Sequence, residues 1–409
     1  MGIVVKMNKS VYIVAILLIV IAGLAFVFVN PPEKKETATP TTTLTTTTAT
    51  TTTTTATTPT TTPITATPTM SKITLNGAGA TFPFPLYDKW CAEYNKLYPN
   101  IFINYQSIGS GGGIRAHLDK TVHFAASDAP LNDEQWAKAQ GTLTLPMTIG
   151  GVVIIYNLPG LNQSLILSGE VISKIYLGEI NKWNDPLIAS LNPGITLPDK
   201  DIVVVHRSDG SGTTYVFTNY LSRVSDKWRS TVGMGTSVNW PTGVGAKGNE
   251  GVSAMVMQTP YSIGYVEYTY AKKNNIKYAY IVNAAGEVVE PSTQSFQKAV
   301  GYAALKLPKG NESWANVSIV DMVATNKDAK GAYPITSFSY IFIYKDLSVV
   351  PGMDKATAQA LVNFLWWATH DGQKYAEPLF YVPLPESVVK LNEETLLMVT
   401  YGGEPLIKK

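Results

Sequence analysis

Residues 206–214 read HRSDGSGTT, an arginine and an aspartate followed by glycines and hydroxyls. Two chemistries fit such a stretch: a nucleophilic serine, or a cradle that grips an anion and leaves it intact. A nucleophile would need Ser211 activated by a histidine that an acid orients. The histidines are His117, His123, His206 and His370. His206 is next to Arg207 and, on a strand, faces the opposite way. The stretch 209–213 begins with Asp209, so it is not the GxSxG elbow of a serine hydrolase. No GxxxxGK[ST] loop and no HExxH pair occurs, so neither nucleotide hydrolysis nor zinc chemistry has a motif, and no cofactor is expected.

Three segments carry donors suited to an anion. In GAGATFPFP (77–85), Gly77 and Gly79 allow close backbone approach and a helix opens near Pro83. Free N–H groups there, with the Thr81 hydroxyl, attract negative charge. In IGSGGG (108–113), Ser110 is expected to cap a helix beginning near Gly113. In the opening stretch, Arg207 offers a planar fork of donors, Asp209 can pair with it, and Ser211, Gly212 and Thr213 lead into another helix. Taken singly, each reads equally well as a glycine turn, an N-cap, or a surface arginine. All three lie at carboxyl ends of expected strands, where ligands collect in open α/β sheets. Jointly they describe a cage for an anion the size of phosphate or sulfate. SDAP (127–130) adds Asp128 at the same edge. Near neutral pH phosphate keeps a proton to donate to a carboxylate and sulfate has none, so Asp128 would favour phosphate. A turn or cap role before Pro130 is the alternative.

The elements that must position these residues follow from periodicity. ITLNGAG (73–79), IFINYQSIG and VHFAASDAP read as strands, as do GGVVIIYNLPG (150–160) and DIVVVHRSDGSG (201–212). Residues 83–99 read as a helix with Leu86, Trp90, Tyr94 and Leu97 on one face, and 356–376 as another whose Phe364, Trp366 and Trp367 pack core. Residues 263–274 and 339–346 continue the alternation. Strand and helix in turn imply an α/β fold with a largely parallel sheet.

The chain has 409 residues, a formal net charge of +2 and one cysteine, Cys91, read as a buried hydrophobe. Near-neutral charge without a basic stripe argues against nucleic acid as a partner. Residues 11–29 are uncharged and follow Lys6 and Lys9, which predicts a transmembrane anchor with residues 1–10 cytoplasmic and the rest outside. A cleaved signal peptide is the competing reading. The segment 30–72, dominated by Thr and Pro over 37–69, reads as a glycosylated stalk or linker. Asn162, Asn311 and Asn316 begin N-glycosylation sequons. The expectation is a body displayed on the cell surface.

GAGATFP, YQSIGSGGG, SDAPL and HRSDGSGTT resemble, in order and spacing, the ligand segments of the phosphate-binding protein of the Pst-type ABC transporter. TIGGVVIIYNLPG, IYLGEINKWND, GVGAKGNEG, IGYVEYTYAKKNN and YPITS extend the similarity across 73–389. The resemblance implies a type II periplasmic-binding-protein clamshell, with 73–147 plus 340–409 as one lobe and 148–339 as the other. It implies phosphate held by Thr81 and Phe82 through backbone N–H, and by Ser110, Asp128, Arg207, Ser211, Gly212 and Thr213. Asp209 matches the acid that restrains the arginine. It further implies delivery to permease and ATPase subunits, with arsenate as a mimic. Val122-His123-Phe124-Ala125 departs from the family's usual Val-Asp-Phe-Gly, and His123 reads as a solvated or supporting residue. A surface-anchored phosphatase, and an adhesive surface protein, remain the alternative classes.

Overall fold

The computed structural model describes residues 71–303 and 307–407. The expected anchor (11–29) and the Thr/Pro stretch (37–69) lie outside them. Among the described residues no helix is long and apolar enough to cross a membrane.

The expected apolar runs become strands of one mixed sheet. Its principal elements are β1 (Ile73–Gly79), α1 (Phe84–Leu97), β2 (Ile101–Ser107), α2 (Ser110–Leu118) and β3 (Phe124–Ser127). Then follow β4 (Thr142–Asn157), β5 (Val203–Arg207), α3 (Gly212–Val224), β6 (Val244–Ala246) and α4 (Gly248–Gln258). β7 (Ser262–Glu267), β8 (Thr336–Tyr344) and α5 (Lys355–Thr369) complete the set. Across the sheet the order is β2-β1-β3-β8-β4-β7-β5-β6. The pairs β1–β2, β1–β3, β5–β7 and β5–β6 are parallel. The middle is antiparallel, because β8 runs against β3 and β4, and β4 runs against β7. The sheet is therefore less parallel than the alternating pattern implies. Two parallel βα units flank a pair of long strands that join them.

Those long strands carry the connection. β4 pairs with β8 up to Gly151 and with β7 from Val152 onward. Its 16 residues are buried along all but the last position, as a strand covered on both faces must be. The sequence places the strand at 150–160, but it begins at Thr142 and runs through Pro146. Proline has no N–H for the ladder and is tolerated inside a sheet only at an irregularity. The irregularity is present: Ser339 pairs with Thr148 whereas Tyr340 pairs with Pro146, so Met147 is an extra residue on β4. Such a bulge bends its strand and re-aims neighbouring side chains.

Helix α1 buries Leu86, Tyr87, Trp90 and Tyr94, and the Trp90 indole donates to the Gly372 carbonyl at 2.7 Å. Leu97, expected on the same face, is 59% exposed because the helix ends there. Phe364 and Trp367 of α5 are buried against Tyr94, while Trp366 stacks on His370 at the rim. Each large apolar side chain so buried contributes about 1.5–3 kcal/mol, which fixes the strand ends that carry the site.

Candidate functional site

Every strand of the two parallel units that carries a candidate residue delivers it at its carboxyl end. After β1 the chain turns at Gly79 and runs through Ala80, Thr81 and Phe82 into α1. Three tyrosine hydroxyls hold the carbonyls of this turn: Tyr105 donates to Ala80 O (2.8 Å), Tyr270 to Thr81 O (2.6 Å) and Tyr381 to Phe82 O (2.6 Å). In a trans peptide the N–H points opposite to the carbonyl joined to it. Drawing the Ala80 and Thr81 carbonyls toward tyrosines therefore turns the N–H groups of Thr81 and Phe82 the other way. Neither N–H has a hydrogen-bond partner among the described residues, although Thr81 and Phe82 are buried.

The second segment departs from expectation. Ser110 does not cap the helix. Gly109 holds the N-cap position at φ 84°, and α2 begins at Ser110 itself. Glycine is needed there, since a Cβ would meet the Asp209 carboxylate in a backbone conformation L residues avoid. The Ser110 hydroxyl is thereby released to Asp128, accepting its N–H at 3.1 Å and lying 3.4 Å from its Oδ2.

Asp128, just past β3, is not spent on a turn. Ser127 does that work, its hydroxyl accepting the Ala129 N–H and donating to the Ala129 carbonyl. Asp128 is 1% exposed, and its Oδ1 accepts from Ser339 Oγ at 2.8 Å. Ser339 sits on β8 opposite the β4 bulge at Pro146 and Met147, and it was not anticipated from sequence. A serine inside an apolar strand gives no local signal; Pro146 was the clue to the bulge. Burial pushes the Asp128 carboxyl up to about 7, against the lowering pull of Ser339, Arg207 and Ser110.

Arg207 ends β5 with its side chain 1% exposed. Its Nε and Nη2 donate to both Asp209 oxygens at 2.8 and 2.6 Å. This bidentate pair fills one edge of the guanidinium and leaves Nη1 and the second Nη2 hydrogen on the other edge. Nη1 lies 3.5 Å from Thr213 Oγ1. Asp209 also accepts the Gly248 N–H at 3.0 Å. Burial opposes its ionisation, yet the bonds and charge of Arg207 with the Gly248 N–H hold its carboxyl below the usual value.

Ser211 is the N-cap of α3, its Oγ accepting from Thr214 N at 3.0 Å. Its hydroxyl proton is left to donate. No histidine reaches it: His206 stacks on Trp240 and lies 3.0 Å from the Arg207 carbonyl. The first-turn N–H groups of Gly212 and Thr213 have no partner among the described residues. A Cβ on Gly212 would collide with the Asp128 carboxylate and the Ser110 hydroxyl. Glycine there lets the α3 terminus close on them.

All the anticipated residues thus come to one buried place. Thr81 connects to Thr213 through the amide of Asn249, which lies 2.7 and 3.1 Å from their hydroxyls. Gly212 abuts Asp128 and Ser110, and Gly111 N donates to Gly210 O at 2.8 Å, joining the second and third segments directly. Asn249 was missed, although its signal was legible: GVGAKGNEG is another strand end feeding a helix N-terminus. His123 is outside the cluster, half-buried with Nδ1 accepting the Asn76 N–H at 3.2 Å. Chemically the cavity presents five backbone N–H groups, counting Ser110 at the start of α2, several hydroxyls and one arginine edge against one free acceptor, the Asp128 carboxyl. Among the described residues no group of His, Cys, Asp and Glu is placed to hold a metal.

Comparison with known proteins gives the same direction. A PBP superfamily domain matches residues 36–370. The phosphate-binding protein PstS of Pasteurella multocida is 48% identical over 318 residues, covering 78% of this chain and 88% of the relative. The PstS of Xylella fastidiosa is 46% identical over 322 residues, covering 78% and 84%. Among solved structures, the phosphate-binding protein from Stenotrophomonas maltophilia superposes with a TM-score of 0.60 at 18% identity, covering 80% of this chain and 99% of that one. That likeness concerns the fold: two α/β lobes of the periplasmic-binding type. At such identity and coverage the chain belongs to the PstS phosphate-binding proteins of the PBP superfamily.

Proposed function

We propose that this protein captures inorganic phosphate in the cradle of Thr81, Phe82, Ser110, Asp128, Arg207, Ser211, Gly212 and Thr213 and hands it to an ABC-type permease driven by a separate ATPase. The observation that carries the reading is the imbalance of the cavity: unpaired donors on every side and a single buried carboxyl. A tetrahedral dianion that retains one proton satisfies all of them at once. Sulfate would set a bare oxygen against the Asp128 carboxyl, a mismatch of roughly 1–3 kcal/mol or more. Arsenate shares the charge, shape and proton of phosphate and should mimic it.

The lobes are 73–147 with 340–409, and 148–339, hinged on the two long strands. Donors from both reach one anion, so binding favours closure. The family role is substrate binding, and the absence of an activated nucleophile beside Ser211 supports a receptor with no hydrolytic step. The cradle has no purpose in an adhesive protein. The apolar stretch 11–29 supports an anchor holding the body outside the cell on a Thr/Pro stalk. Asn162, Asn311 and Asn316 are all exposed, as glycan acceptors must be.

Calorimetry of the folded body with phosphate, arsenate and sulfate tests the assignment. Phosphate and arsenate binding tightly, with sulfate weaker by at least about a hundredfold, is the expected result. Equal binding of sulfate overturns the role of Asp128, and release of product from a phosphomonoester revives an enzyme. Mass spectrometry of the mature N-terminus checks the anchor; cleavage near residue 30 removes it.

A further inference from the structure

We propose that Asn249 is a positioning residue that fixes the hydroxyl protons of Thr81 and Thr213 toward the bound anion; the inference rests on reading the cavity as an oxyanion cradle. A threonine hydroxyl is ambivalent: it carries one proton to donate and two lone pairs to accept. Beside an anion only the donating orientation helps. Something must choose it.

Asn249 lies in the first turn of α4 and is fully buried. Its own orientation is not free. The Glu267 backbone N–H, which can only donate, points at Asn249 Oδ1 from 2.9 Å, so the amide nitrogen must face the other way. That nitrogen reaches Thr81 Oγ1 at 2.7 Å and Thr213 Oγ1 at 3.1 Å, one hydrogen for each. The backbone N–H of Asn249 adds a second donor to Thr81 Oγ1 at 3.3 Å. Arg207 Nη1 adds a longer one to Thr213 Oγ1 at 3.5 Å. Each oxygen therefore receives two donors, at least one of them from Asn249. With their lone pairs engaged there, the only use left for either O–H is to point away and donate.

Glu267 keeps this arrangement in place. It is fully buried at the end of β7, and its carboxyl accepts from Thr269 N at 2.9 Å and lies 3.1 Å from Tyr381 OH. Tyr381 in turn holds the Phe82 carbonyl. One short chain of bonds thus runs from the Phe82 carbonyl to the amide that aligns two hydroxyl donors. Thr81 comes from the β1 turn and Thr213 from the start of α3, so a single amide aligns donors from both sides of the cavity.

The deciding variants are N249D and N249A, measured by phosphate calorimetry on the whole folded protein with melting temperature as a control. N249D keeps the shape but puts an acceptor where the amide donated. It forces the hydroxyls to turn toward residue 249, and phosphate affinity should fall by at least about a hundredfold. N249A frees the rotors and should cost about tenfold. In a T81V/T213V background, where there is no hydroxyl proton to direct, adding N249A should change affinity by less than about twofold. A purely structural role predicts the same tenfold loss in both backgrounds, and that result overturns the proposal. So does N249D binding within about threefold of the parent. If N249D fails to fold, the comparison of N249A in the two backgrounds decides alone. Failure of the parent itself to bind phosphate would instead sink the underlying reading of the cradle.

Discussion

Two aspartates lie in the same shell and their carboxyls are pushed in opposite directions. Asp209 faces an arginine edge and a backbone N–H, and its carboxyl stays ionised below the usual range. Asp128 meets only two serine hydroxyls and the more distant charge of Arg207, and burial lifts it to about 7. The contrast separates two tasks. Asp209 is a clamp whose lone pairs are consumed in holding Arg207, and it has nothing to offer a ligand. Asp128 is underfilled, with hydrogen-bond capacity in reserve.

The contrast can be broken most severely at Arg207. Arg207→Ala removes the guanidinium of the cradle and strands the half-buried Asp209 charge, so phosphate affinity should drop by about a thousandfold or more in calorimetry. Binding within tenfold of the parent would mean the anion is held by backbone donors alone.

A pH series sharpens it next. Asp128 binds its proton more tightly folded than unfolded, so its contribution to stability is complete below about pH 4 and is lost as pH rises through about 7. The ligand-free parent should lose stability relative to Asp128→Asn across that window, by a few kcal/mol at most, read as the difference between their denaturant midpoints. An unchanging difference from pH 4 to 8 would place Asp128 with Asp209, as a permanently ionised group. The same variant should lower the preference for phosphate over sulfate by about a hundredfold in competition calorimetry. An undiminished ratio moves discrimination elsewhere in the cavity.

The smallest effect belongs to Ser339→Ala. Loss of its 2.8 Å bond removes one of the influences that lower the Asp128 carboxyl. The midpoint of the pH-dependent loss should move further upward, with about 1 kcal/mol of associated cost. A downward shift, followed by carboxyl NMR titration, would show that the serine accepts from Asp128 instead of donating to it.

Much of the site was legible because it is built from local grammar. Glycine turns, hydroxyls and an arginine at strand ends occur as short words in the sequence, and their strand-to-helix context is periodic. The cap assigned to Ser110 was misplaced because a left-handed glycine at 109 starts the helix earlier and hands the serine to Asp128. The extent of β4 was misjudged because Pro146 looks like a terminator, and only the pairing with β8 shows the bulge that absorbs it. Ser339 escaped because its partner is 211 residues away, and Asn249, whose strand-to-helix setting was legible, because the Thr81 its amide reaches is 168 residues away.

The sequence by itself determined which groups could touch an anion and that no hydrolase motif accompanies them, since residue type fixes donors, acceptors and nucleophiles. Tertiary structure alone decided how those groups are set. Burial and pairing are properties of three-dimensional neighbours, and they make one aspartate a clamp and leave the other with hydrogen-bond capacity to spare. Tyrosines from other parts of the chain hold the carbonyls of the turn after β1, so that the N–H groups joined to them point the other way. Direction, unlike identity, is not written in any short stretch of chain.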